Sequence, residues 1–269
     1  MKNIIIPVFL FALGSLASCG KELITPITPD NVAVVESYLH AGDSTINIKV
    51  SKLLPLAEDS TDATVLISGL HLQVNGVPLT EAASGVYTLQ LGNKRIKPGE
   101  SYVLKFLYAS DTVSSTTHIP DKPLNFNISS HSIYTDRITT TGGGFPSGLP
   151  SDLVLSWENT DSSYYYVVIQ YLEKSRDLIN TRYASLDLSD TTSISPINAS
   201  ETRLGIRNLH FFGRYRIVLF KVNNDFADVY QQTAVNSNNI TNPVSTIKNG
   251  FGVFTGMASD TVNLQVFAN

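Results

Sequence analysis

Short apolar runs with a period of two dominate this chain from residue 32 onward. Val32 begins the series, and Ile46, Ile48 and Val50 form its next run. A period of two places alternate side chains on one face, which is typical of a β-strand with one buried face. The runs are short, they are separated by turns, and no helical period interrupts them before Pro120. The pattern therefore predicts an all-β chain built from sandwiches rather than a mixed fold.

Turn residues divide the first half of the chain. Val74 runs into the pair Asn75–Gly76, which accepts positive φ and favours a tight hairpin, and Leu79 begins the return strand. Further on, Pro98–Gly99 turns the chain into a run in which alternate residues of 101–106 are apolar or aromatic. These features predict an immunoglobulin-like β-sandwich.

The second half carries a sharper signal. Trp157 closes one apolar run, an aromatic and aliphatic run follows at 165–171, and Leu209 stands six residues before Tyr215. This order resembles a fibronectin type III domain. In that domain the tryptophan fills the core, and the tyrosine donates a hydrogen bond back to the preceding loop. We interpret Trp157, Leu209 and Tyr215 as structural residues.

One segment departs from that resemblance, because 225–259 is far longer than a hairpin loop. Within it, 225–232 predicts a helical turn in which Asp225 accepts hydrogen bonds from free amides and Phe226 and Tyr230 share a side. The predicted organisation is a signal peptide at 1–18, a lipidated tether at 19–30, an immunoglobulin-like β-sandwich at 31–120, and a fibronectin type III-like β-sandwich at 121–269 with an insertion at 225–259.

The N-terminus contains the single cysteine of the chain, Cys19. The stretch from Ile4 to Leu16 is almost entirely apolar, but it is shorter than the about 20 residues that span a bilayer. Leu16-Ala17-Ser18-Cys19 resembles the lipobox of a bacterial lipoprotein. We predict cleavage before Cys19, acylation of its thiol and attachment to the outer membrane, at its periplasmic face or at the cell surface.

Composition excludes several classes of partner. The chain has 19 basic and 23 acidic side chains, and removal of the signal peptide deletes only Lys2, which leaves 18 against 23 and a formal charge of −5. The charges are evenly spread, so no basic patch predicts a nucleic-acid partner. A single cysteine allows no intramolecular disulfide, and no motif predicts a cofactor.

Catalytic and metal-binding motifs are missing from the sequence. The histidines His40, His71, His118, His131 and His210 are scattered and form no zinc-ligand spacing. No Gly-x-Ser-x-Gly nucleophile elbow occurs. The acidic run at 58–62 is interpreted as a solvated turn rather than a calcium loop, and the three glycines at 142–144 as a loop rather than a phosphate cradle. A catalytic pair of carboxylates that are distant in the sequence and meet only on folding stays an open alternative to a protein without enzymatic activity.

Short surface motifs predict a modification. Five Asp-Ser or Asp-Thr pairs resemble the acceptor for general O-glycosylation of exported Bacteroidota proteins. The candidate acceptors are Ser44, Ser60, Thr112, Thr191 and Thr261.

Over its whole length the chain resembles one family, the Bacteroidota outer-membrane lipoproteins grouped as domain of unknown function 4249. The landmarks, in order, are the lipobox, 34–39, 85–87, 98–104 and 249–256. The resemblance implies an accessory role beside a TonB-dependent outer-membrane receptor, because genes for such receptors commonly neighbour those of the family. It supplies no activity and no binding residues.

The aromatic residues of 249–256 have two interpretations. Phe251 and Phe254 either pack inward from an edge strand or anchor the chain to a receptor, and exposure of their rings separates the two. For the whole chain we expect a non-enzymatic, lipid-anchored partner of a TonB-dependent receptor or of its ligand. The alternatives are a structural or adhesive surface protein and, third, a glycan or peptide hydrolase.

Overall fold

The computed structural model describes residues 32–53, 64–139, 150–235 and 245–269. These ranges contain seventeen β-strands and one α-helix, α1, at Asn224–Val235. The prediction of an all-β fold is confirmed. The strands are β1 Ala33–His40, β2 Thr45–Lys52, β3 Gln73–Val74, β4 Val77–Pro78, β5 Thr80–Ala83, β6 Val86–Gln90, β7 Ser101–Tyr108, β8 Asp111–His118, β9 Leu124–Ile128, β10 Ser132–Thr135, β11 Leu153–Glu158, β12 Tyr164–Tyr171, β13 Asp177–Leu178, β14 Thr191–Ile197, β15 Glu201–Leu204, β16 Phe211–Val222 and β17 Gly250–Ala268.

The strands of the described residues form three sheets. A ten-stranded sheet has the order β14-β12-β16-β17-β1-β2-β6-β5, with β10 added beside β17 and β13 beside β16. A four-stranded sheet, β4-β3-β7-β8, packs against its β1, β2 and β6 end, and a three-stranded sheet, β15-β11-β9, packs against its β12 and β16 end. The chain therefore forms two sandwiches that share one long sheet.

Each sandwich has its own core. The N-terminal cluster joins Ile48 and Tyr87 of the long sheet to Leu104 of the four-stranded sheet. The C-terminal cluster joins Ile217 of the long sheet to Leu155 of the three-stranded sheet. Alternate residues of the strands supply these side chains, as the period of two predicts.

The predicted hairpin at Asn75–Gly76 is confirmed. β3 pairs antiparallel with β4 across these two residues, with φ at +50° for Asn75 and +77° for Gly76. Two central residues with positive φ match the right-handed twist of the flanking strands.

The last strand, β17, belongs to both sandwiches. Its first half, from Gly250 to Met257, lies parallel to β1, and its second half, from Met257 to Val266, lies antiparallel to β16. The segment 225–259 is thus not a separate insertion among the described residues, since it contributes α1 and then a strand of the N-terminal sandwich. Burial of both faces from Val253 to Ala258 hides the period of two in this strand.

The ring of Tyr215 lies in the core of the C-terminal sandwich, and its hydroxyl binds the backbone of Phe211. The side chain is 3% exposed, its hydroxyl donates to the carbonyl oxygen of Phe211 at 2.7 Å, and it accepts from the amide of Phe211 at 2.8 Å. Burial raises the pKa of this hydroxyl, so it stays protonated and able to donate. Leu209, at 3% exposure, packs in the same cluster. The hydroxyl thereby binds both backbone polar groups of Phe211, the first residue of the strand that carries Tyr215 itself.

Replacing Tyr215 by phenylalanine is expected to lower the free energy of unfolding by about 2 kcal/mol, because a buried amide and a buried carbonyl lose their partner. Urea denaturation measures the change. The matched control is Tyr134→Phe, whose side chain is 60% exposed and whose loss of a hydroxyl should change stability by less than about 0.5 kcal/mol. Equal stabilities of the Tyr215 variant and the wild type would contradict this role.

Candidate ligand-binding groove

Aromatic side chains gather on the outer face of the ten-stranded sheet, where the two sandwiches meet. Tyr166 of β12 lies opposite Phe220 of β16, and their ring centroids are 6.4 Å apart. The ring of His40, at the end of β1, lies 5.6 Å from that of Phe220, and Tyr38 lies two residues earlier on the same face. Neighbours of these residues, namely Leu39, Tyr165 and Leu219, are buried in the cores, so the alternation directs these four rings to the opposite face.

The helix α1 adds two rings from above the sheet. Phe226 and Tyr230 are four residues apart and therefore share a side of the helix. The ring of Phe226 lies 5.6 Å from Tyr166 and 6.2 Å from Tyr38, and the ring of Tyr230 lies 5.4 Å from Tyr166. These separations and tilted orientations fall within the preferred range for aromatic pairs.

Together these residues enclose an open groove of about 330 Å³. Its base includes Met257, which is 5% exposed, whereas Tyr38 is 41% exposed and the other aromatic side chains are half-buried. A concave, mostly apolar surface of this size is typical of a binding site. We call it the aromatic groove, and its lining is Tyr38, His40, Tyr166, Val168, Phe220, Phe226, Tyr230 and Met257.

The aromatic groove is uncharged near neutral pH. Burial lowers the pKa of the His40 imidazole from 6.5 and outweighs the opposite effect of Asp43. Burial also raises the pKa of the hydroxyls of Tyr38 and Tyr166. Apolar contact and hydrogen bonding, rather than charge, are therefore what these walls offer a ligand.

Polar contacts hold the start of α1 at this junction. The side-chain amide of Asn223 donates to the carbonyl oxygen of His118 at 2.9 Å and to the hydroxyl of Thr117 at 3.1 Å. Asp225 accepts from the amide of Phe226 at 2.7 Å and from the hydroxyl of Thr255 at 3.2 Å. Burial raises the pKa of the Asp225 carboxyl group. These bonds connect the start of the helix, which follows β16, to the N-terminal sandwich and set the position of its two rings.

The lining of the aromatic groove holds no carboxylate among the described residues. A pair of carboxylates on the two sides of the scissile bond is the usual requirement of glycoside hydrolysis. The described lining does not supply that pair.

The comparison with protein families covers most of the chain. A family model described as domain of unknown function (DUF4249) matches residues 22–262. The chain belongs to this family. No curated protein matches it.

Solved structures resemble this DUF4249 member only loosely. The FN1–FN3 domains of chicken CNTN1 are 13% identical over 89% of this chain and 68% of theirs, with a TM-score of 0.28. Protocadherin gammaB7 EC3-6 is 10% identical over 90% of this chain and 51% of its own, with a TM-score of 0.21. DIP-gamma IG1+IG2 is 11% identical over 87% and 98%, with a TM-score of 0.19.

Of the two interpretations of Phe254, inward packing is the one that its burial supports, and its candidate role in docking is corrected. Its side chain is fully buried in the N-terminal cluster, because β17 is an interior strand between β1 and β16 rather than an exposed edge. Phe251 is half-buried, and its role in docking stays a prediction.

Trp157 lies in the C-terminal cluster at 5% exposure, with its ring 5.3 Å from Tyr165 and 6.5 Å from Phe126. Its indole Nε1 has no hydrogen-bond partner among the described residues. The tryptophan therefore contributes apolar contact, and its polar atom is not satisfied by the surrounding core.

The candidate modification sites fall in different settings. Thr112, Thr191 and Thr261 are exposed, and Ser44 is half-buried before β2. Ser60 and the lipidation site Cys19 lie outside the described residues, as do the acidic run at 58–62 and the glycines at 142–144. Glycosylation and lipidation stay predictions.

Metal ligands and membrane-spanning helices can be assessed for residues 32–53, 64–139, 150–235 and 245–269. No group of three or more His, Cys, Asp or Glu side chains there is arranged to hold a metal ion. Nor does any helix in those ranges have the length and apolarity needed to cross a membrane.

No motif of the sequence predicts the aromatic groove. One signal was available: in β12, aromatic residues occur on both faces of the strand, since Tyr165 faces the core while Tyr166 faces outward. The participation of Tyr38 has no local signal, because more than a hundred residues separate it from Tyr166 and only the shared sheet brings them together.

Proposed function

We propose that this DUF4249 member is a lipid-anchored protein of the outer membrane that binds a TonB-dependent receptor and has no enzymatic activity. In this proposal Cys19 carries the lipid, and the aromatic groove receives an apolar side chain from the receptor. The observation that carries the proposal is the groove itself, an uncharged aromatic surface at the junction of two sandwiches. The family resemblance described above supplies the class of partner.

The geometry of the groove supports recognition of a protein partner. Aromatic side chains dominate the energetics of protein interfaces when a partner excludes water from them. Tyr38 has 41% of its surface still exposed, so a partner that covers it gains apolar burial. The fixed positions of Phe226 and Tyr230 reduce the side-chain entropy lost on binding.

Cross-linking in the native envelope tests the proposal. We would purify the protein through a tag after Asn269 and identify its partners by mass spectrometry, with Cys19→Ser as the unanchored control. A single TonB-dependent receptor should be recovered with the wild type and lost with Cys19→Ser. Recovery of no specific protein would reject the proposal and favour a structural or adhesive role.

A second pair of variants tests the groove. Tyr38→Ala is expected to reduce recovery of the receptor by about tenfold, equivalent to the loss of one well-packed aromatic anchor. The matched control is Tyr134→Ala, which removes an equally large ring that is 60% exposed and stacks on Phe267, outside the groove. Equal recovery with both variants would show that the receptor binds elsewhere.

A further inference from the structure

A second concave site lies in the N-terminal sandwich, on the loop that joins β6 to β7. It has a volume of about 580 Å³, within the range of small-molecule sites. The loop forms one wall, and the hairpin of β3 and β4 forms another. We call it the cationic pocket, and its lining is Val74, Asn75, Val77, Leu89, Leu91, Lys94, Arg95, Lys97, Glu100, Ser101 and Tyr102.

The interior of the cationic pocket is apolar. Val74 and Tyr102 are 1% and 7% exposed and belong to the N-terminal core, while Leu89 and Leu91 are half-buried beside them. Val77 stands on the hairpin with 48% of its surface exposed. An apolar body placed here would remove this surface from water.

The rim of the pocket concentrates positive charge in an acidic protein. Lys94, Arg95 and Lys97 are exposed and stand within four residues, although the whole chain has a formal charge of −4. In the described part of the chain, no carboxylate lies within ion-pair distance of any of the three. The one acidic residue of the lining, Glu100, accepts a hydrogen bond from the hydroxyl of Tyr102 at 2.8 Å.

The backbone that carries these cations is fixed. Ile96, between Arg95 and Lys97, is 1% exposed in the core. Its amide donates to the carbonyl oxygen of Asp43 at 2.9 Å, and its own carbonyl oxygen accepts from the amide of Gly42 at 2.7 Å. The guanidinium of Arg95 also donates to the carbonyl oxygens of the loop. The fixed backbone holds the three residues near the pocket mouth, so binding requires ordering of their side chains but not of the loop itself.

We propose that the cationic pocket binds an amphiphilic organic anion, with an apolar body against the interior and a carboxylate or phosphate at the rim. The carboxylate or phosphate accepts charge-assisted hydrogen bonds from the Lys and Arg side chains, and the apolar body supplies the hydrophobic gain. This site is separate from the aromatic groove, and the proposal does not depend on the receptor.

Calorimetric titration with octanoate tests the proposal, on residues 19–269 carrying Cys19→Ser, which need no detergent. We expect one saturable site. Lys94→Gln/Arg95→Gln/Lys97→Gln should weaken octanoate binding about tenfold or more, because the charge-assisted bonds are lost. The matched control, Lys49→Gln/Lys52→Gln/Lys105→Gln, removes the same charge elsewhere on the same sandwich and should leave binding unchanged.

Three results would overturn the proposal. They are equal weakening by the two triple variants, equal affinity for octan-1-ol, and equal affinity for inorganic phosphate. The first result would mean that the weaker binding reflects only the overall charge of the protein. The second would show that the three cations do not contribute to binding, and the third would show that the apolar interior does not. Val77→Asp gives an independent variant at an exposed position and should weaken octanoate binding by charge repulsion.

Sedimentation with lipid vesicles distinguishes a lipid headgroup from a free amphiphile as the source of the anion. If the wild-type protein sediments with vesicles that contain phosphatidylglycerol, and the Lys94/Arg95/Lys97 variant does not, the anion is a lipid headgroup. Octanoate binding without vesicle binding would assign a free amphiphile.

Discussion

Replacing Gly252 by alanine is expected to lower the free energy of unfolding by about 3–5 kcal/mol. Gly252 has φ +102°, a conformation that residues with a Cβ rarely adopt. A Cβ at this position would also overlap the carbonyl oxygen of Val35 on the parallel strand β1. The substitution therefore both strains the backbone of β17 and pushes β1 away from it. Chemical denaturation measures the loss.

The control for this variant is Gly42→Ala. Gly42 has φ +97°, but a Cβ there would meet no atom within 4 Å. The substitution therefore isolates backbone strain, with an expected loss of about 1–2 kcal/mol. If both variants lose the same stability, the close approach of β1 and β17 does not limit the residue at 252.

Phe254→Ala is expected to destabilise the protein by about 3–5 kcal/mol, because it leaves a cavity in a closely packed core. The ring is fully buried. The backbone amide of Phe254 donates to the hydroxyl of Thr246 at 3.0 Å, so the backbone is held in place and cannot easily move to fill the cavity. Phe267→Ala is the matched control, because that ring is 40% exposed and should contribute about 1 kcal/mol through its stacking on Tyr134. A loss for Phe254→Ala no larger than for Phe267→Ala would contradict its core position.

Tryptophan fluorescence and far-UV circular dichroism can both follow the unfolding of the Phe254→Ala variant. The single tryptophan, Trp157, reports on the C-terminal cluster, whereas Phe254 lies in the N-terminal cluster. β17 passes through both sandwiches, so we expect tryptophan fluorescence and far-UV circular dichroism to shift to lower denaturant together. Transitions that separate would show that the two cores unfold independently despite the shared strand.

The aromatic groove depends on the same strand. Met257 lies where β17 changes partner, opposite His40 on one side and Val222 on the other. The pairing brings Tyr38 of one sandwich within contact of α1 from the other. A variant that separates β1 from β17 should therefore disrupt the groove as well as the N-terminal core.

Local features of the sequence predicted much of the fold. The positive φ required by Asn75–Gly76 is a property of two adjacent residues, and the alternation in 101–106 depends on neighbours in one strand. The helical turn after Asp225 was also visible, although α1 begins at Asn224 and extends to Val235. Helix ends depend on contacts beyond the helix itself, so the sequence defined them less sharply.

For strands with one buried face, such as β7 and β11, the sequence by itself determined which side chains face a core, because a period of two is a local property. The tertiary structure decided which strands became neighbours, since the parallel pairing of Ala33 with Gly250 joins residues from opposite ends of the chain. That pairing depends on glycines that permit close backbone approach, and no periodicity encodes it. For the same reason, the burial of Phe254 and the gathering of Tyr38 with Tyr166 arise only when the long sheet forms.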